Sequence, residues 1–65
     1  MNKRIPFDPN EPSHREIVRC AVESAYDFCG PVMTRVREAL IDEGIQPTSA
    51  VDGVALEFME DLGLV

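Results

Sequence analysis

The sequence has no tryptophan, one tyrosine, one histidine and two cysteines, and after Arg37 it has no basic residue at all. Each shortage excludes something. His14 stands alone and neither Cys20 nor Cys29 belongs to a C-x-x-C pair, so a zinc site would need ligands from unrelated positions or from another chain. The cysteines lie nine residues apart. That spacing is about 180° around a helix turning about 100° per residue, so they cannot bridge within one helix. We therefore expect no disulfide, no metal and no cofactor, and free thiols suit a reducing, cytoplasmic compartment. Long apolar runs are missing as well. None follows Lys3 and Arg4, which argues against a signal peptide, and none approaches the ~20 residues of a membrane span. Neither a glycine-rich phosphate loop nor a nucleophile elbow is present, and the acids fall on polar faces, which argues against an enzyme.

The charge is unevenly distributed. Residues 1–37 hold all six bases and five acids, a balance of +1, whereas residues 38–65 hold seven acids and no base, a balance of −7. The acidic half should repel nucleic acid and anionic membranes. With 65 residues in total, a single domain buries only about 60% of the surface its unfolded chain exposes. Disulfides and metals being poor prospects, self-association is the expected source of extra burial.

The periodicity predicts an all-α fold: a small three-helix bundle, with helices at about 13–29, 32–43 and 50–62, behind an extended, proline-containing N-terminal arm, residues 1–12. Pro6, Pro9 and Pro12 recur every three residues, the repeat of polyproline II. Lys3-x-x-Pro6-x-x-Pro9 has the look of a ligand for proline-binding grooves, but such spacings are common, and a simple ordered lead-in fits better, with Ile5 and Phe7 tucked against the bundle or a neighbouring chain. Ser13 and Glu16 form a capping-box pattern that opens the first helix. Ile17, Val18, Ala21, Val22, Ala25, Phe28 and Cys29 then share one arc, with Glu16, Glu23 and Asp27 opposite. Gly30-Pro31 breaks the helix, proline being unable to donate and unfavourable to helical geometry before it. Val32, Met33, Val36, Ala39 and Leu40 make the second stripe. It should end at Gly44, in the left-handed conformation, with Ile45 folded back on the last turn. Thr48 or Ser49 caps the third helix, whose stripe is Val51, Val54, Ala55, Phe58, Met59 and Leu62, and Gly63 ends it.

Two stretches invite a functional reading. Cys29, just before Gly30-Pro31, could be a thiol activated by a helix N-terminus. Asp27 precedes it, however, Arg35 is the nearest following base, and no histidine or second cysteine is close in sequence, so a buried corner thiol is the better reading. Leu56 is the other. It lies off the third stripe, flanked by Asp52 and Glu60, and reads as an apolar anchor ringed by acids; Ile41 and Tyr26 pose the same question on the other helices. The partner-binding candidates are accordingly Leu56, Asp52, Glu57, Glu60, Ile41 and Tyr26. Ile5, Phe7, Leu64 and Val65 are the dimer-interface candidates.

The sequence thus points to a small acidic module that binds another protein, as adaptor, inhibitor or regulatory subunit, and pairs as a homodimer in which the basic half of one chain could meet the acidic half of the other. Its size suits a bacterial or phage accessory protein. The alternative is an acidic decoy for nucleic acid, with Asp52, Glu57, Glu60 and Asp61 in place of phosphates. A helix-turn-helix DNA reader ranks last, because residues 50–62 offer no Arg, Lys, Asn or Gln for phosphates or base edges.

Overall fold

The computed structural model describes residues 4–28 and 31–63, with the backbone alone at 27 and 28. Three helices make the fold, α1 (Pro12–Phe28), α2 (Val32–Asp42) and α3 (Ala50–Asp61), joined by a two-stranded parallel sheet of β1 (Ile5–Pro6) and β2 (Ile45–Gln46). The all-helical expectation holds. Cys29 and Gly30, on which the activated-thiol question turned, lie outside the described residues, as do Leu64 and Val65. No helix among the described residues is long and apolar enough to cross a membrane.

Helix α1 begins one residue before the expected cap. Pro12 occupies the first helical position, where its missing N–H costs nothing and its fixed φ is already helical. The Arg15 N–H donates to the Glu11 carbonyl at 3.0 Å, so the chain turns into the helix at Glu11. Ser13 is therefore inside the helix and donates weakly to Glu11 Oε2 at 3.5 Å, while the Glu16 carboxylate is taken by Arg19 and Cys20. The capping box does not form. At α3 the boundary falls where expected, but Ser49 is itself in helical geometry and makes no side-chain cap; the Val51 N–H donates instead to the Thr48 carbonyl at 3.0 Å.

The two glycine stops are as expected. Gly44 and Gly63 both sit at φ +77, the left-handed region that an L side chain rarely enters, and the Gly44 N–H closes on the Ile41 carbonyl at 2.9 Å. Ile45 then turns inward and is buried. The core consists of Val18, Ala21 and Val22 from α1, Val36 and Leu40 from α2, and Val51, Val54 and Ala55 from α3, completed by Phe7 and Ile45. Met33, Ala39, Phe58 and Met59 pack around it.

The arm is ordered, as expected, and Phe7 tucks against the bundle. What the sequence reading lacked is the arm's pairing: Ile5 donates to the Gly44 carbonyl at 3.0 Å and Phe7 to the Gln46 carbonyl at 2.9 Å, which pins it across the α2–α3 connection. In a parallel pair alternate residues bond to the same neighbour, so the N–H of the residue between them would face outward. That residue is Pro6, which has none, and an edge strand is where proline is tolerated. Phe7, 5% exposed, enters the core, while Ile5 remains 62% exposed.

Candidate functional site

Helix α3 carries four of the six partner-binding candidates, Asp52, Leu56, Glu57 and Glu60. Val51, Val54 and Ala55 face the core, and about 180° away around the helix lie Gly53, Leu56, Glu57 and Glu60, all exposed. Leu56 keeps 46% of its surface in water, with Asp52 one turn before it and Glu60 one turn after. Gly53 lies on the same outer face, and a Cβ added there would meet nothing within 4 Å. The result is a helix face that is apolar at one point, flat beside it and acidic around it. Leu62, expected on the buried stripe, is 40% exposed, because the core stops short of the last turn.

The other candidates stand on separate elements. Ile41 is exposed on α2, Tyr26 near the end of α1 and Ile5 on β1, so none of them shares the α3 face. Phe7 has its surface covered by the core and presents little to a second chain.

Two acids of the α3 face are already partnered within the chain. Asp52 Oδ1 accepts from Arg37 Nη2 of α2, and Glu57 Oε2 from Arg15 Nη2 of α1, each at 3.1 Å. The expected pairing of bases with acidic helix 3 thus occurs inside one chain. Both pairs are half-exposed, and such pairs contribute about 0–1 kcal/mol. Arg15 is also a geometric tie. Its Nη1 donates to the Pro9 carbonyl at 3.1 Å, and its guanidinium lies 5.5 Å from the centroid of the Phe58 ring, so one side chain links arm, α1 and α3. Among the described residues, Glu60 and Asp61 have no such ion pair.

Sequence reasoning did not anticipate two arrangements. The first is an open groove between α1 and α2, lined by Ile17, Cys20 and Ala39 with Glu16, Arg35, Glu38 and Asp42. Its thiol is not activated. Cys20 Sγ donates to Glu16 Oε2 at 3.4 Å, and partial desolvation together with that carboxylate raises its pKa. Arg19 holds the Glu16 carboxyl below its ordinary range by hydrogen bonding, and also grips Glu23 at 2.6 Å. No group of three His, Cys, Asp or Glu side chains among the described residues is placed to hold a metal.

The second is His14, which sits in the first turn of α1 at 9% exposure. Its Nδ1 accepts the Asp8 backbone N–H at 3.0 Å, and its ring stacks on Phe7 with centroids 5.8 Å apart. The only hint in the sequence is its place just after Pro12, within reach of a chain that turns back at Asp8. There Asp8 Oδ1 accepts the Asn10 N–H at 2.9 Å, a turn that Asp favours. Comparison with protein-family models, with curated proteins and with solved structures finds no match to this chain.

Proposed function

We propose that this protein is a small cytoplasmic interaction module that binds through the outer face of α3, pairing as a homodimer and serving a protein partner as adaptor, inhibitor or regulatory subunit. The observation that carries the reading is Leu56. It stands 46% exposed, beside a glycine that leaves room for close approach and inside a ring of carboxylates. An apolar anchor in a polar rim is the usual anatomy of a protein interface. Ile5, Tyr26, Ile41 and Leu62 are also exposed, a large share of apolar surface for 65 residues. Leaving that area in water forgoes about 25 cal/mol per Å².

The decoy reading ranks second because Arg37 and Arg15 already occupy Asp52 and Glu57, half of the charge it relies on. Salt separates the two, since binding through exposed charge weakens steeply with ionic strength and apolar docking does not. The direct test is sedimentation of wild type and Leu56→Asp over a range of concentrations. We expect a dimer whose dissociation constant rises at least tenfold in the variant, with helicity unchanged by circular dichroism. A wild type that stays monomeric at high concentration refutes the dimer, and an unchanged association in Leu56→Asp removes the α3 face from it.

A further inference from the structure

One hydrogen bond in this fold can exist in a single charge state only. The Asp8 N–H donates to His14 Nδ1 at 3.0 Å, and a ring nitrogen that accepts carries no proton, so the imidazole is neutral with its hydrogen on Nε2. The ring is nearly covered and lies against Phe7, which among the described arm residues is the side chain that enters the core. The same imidazole therefore touches the arm twice, at the Asp8 backbone and at the Phe7 ring.

We propose that His14 is a proton-operated latch on segment 4–9. In the neutral state it clasps the Asp8 amide and keeps Phe7 seated. When Nδ1 takes a proton from solvent, the ring becomes a cation with two donors and no acceptor, and Nδ1–H and the Asp8 N–H point at each other. The clasp is lost, the charged ring turns toward water, and the segment shifts toward release.

Charged groups lie on the elements around the ring. Asp8 and Glu11 on the arm bring carboxylates to the His14 side of the fold. The neighbouring cation on α1 is Arg15, whose guanidinium is shared with Glu57 of α3. From β2 come Ile45 and Gln46, neither of them charged. With the clasp gone, the described contacts that hold the arm are the buried Phe7 ring, the two strand bonds, Arg15 on the Pro9 carbonyl and Arg4 on Gln46 Oε1 at 3.2 Å.

The test is amide hydrogen exchange by NMR on the full chain from pH 8 to pH 5, with the ring signal of His14, the sole histidine, reporting its own protonation. After correction for the intrinsic effect of pH on exchange, the Ile5, Phe7 and Asp8 amides should lose protection about ten- to hundredfold in step with that signal, the range for a buried group deprived of its partner. Protection at Val22 and Leu40 should hold. His14→Asn places Oδ1 near the position of Nδ1 and accepts at every pH, so its arm protection should be flat over the same range. Arm protection in the wild type that stays constant through His14 protonation overturns the latch. So does a His14→Asn variant with the wild-type pH dependence, and if that variant does not fold, the wild-type titration decides.

Discussion

Phe7 and Ile5 lie two residues apart on one arm, and the structure assigns them opposite energetic weight. A buried phenylalanine removes about 150–250 Å² from water, which at ~25 cal/mol per Å² sets an upper bound near 4–6 kcal/mol. Phenylalanine-to-alanine changes in cores cost about 3–5 kcal/mol. A chain of this length at about 0.05–0.15 kcal/mol per residue has only about 3–10 kcal/mol in total. We therefore expect Phe7→Ala to cost about 3 kcal/mol, the low end, because a segment held by a two-residue edge strand can shift to fill part of the cavity. The midpoint of thermal unfolding should fall by at least ~12 °C. Ile5→Ala, at a residue 62% exposed, should change stability by less than about 0.5 kcal/mol. Urea unfolding followed by circular dichroism measures both. Equal costs for the two variants, or a Phe7→Ala cost under about 1 kcal/mol, would refute the claim that the arm is seated through Phe7.

Two further outcomes follow from single contacts. Gly53→Ala should stabilise α3 by about 0.5–1 kcal/mol, since the added methyl meets nothing and alanine is the better helix former; a loss of stability would mean that the outer face is not open. Glu16→Gln should speed alkylation of Cys20 at neutral pH several-fold, because the carboxylate that raises the thiol pKa is gone and the thiolate fraction grows; a slower or unchanged rate contradicts the assignment.

What was legible in the sequence was whatever neighbouring residues decide among themselves. The stripe of α3 as far as Met59, the left-handed stops at Gly44 and Gly63 and the start of α2 just after Pro31 depend on residues a few positions apart, and all three appear as expected. The cap of α1 was misplaced by a local competition, Pro12 being a better first residue than Ser13 is a cap. Strand β1 could not be read at all. Two residues have no periodicity, and their partner lies forty positions away in the turn after α2. Leu56 was legible as an exposed leucine among acids because it falls off an otherwise regular stripe. His14 was not, because its burial depends on the arm folding back, and the arm folds back only through the pairing that periodicity does not encode.

The charge split has a different consequence in the folded chain than in the linear one. A basic half and an acidic half invite pairing between two copies, yet Arg15 and Arg37 reach Glu57 and Asp52 across the helix interfaces of a single chain. Arg19 spends its charge along α1 on Glu16 and Glu23. Two of the four acids of α3 are therefore met without a second copy, and the argument for self-association rests on apolar area: Leu56, with Ile5, Tyr26, Ile41 and Leu62. Association of that kind should be nearly indifferent to ionic strength, because screening acts on exposed charges and not on buried hydrocarbon. The half-exposed arginine pairs should weaken in salt without carrying the dimer with them.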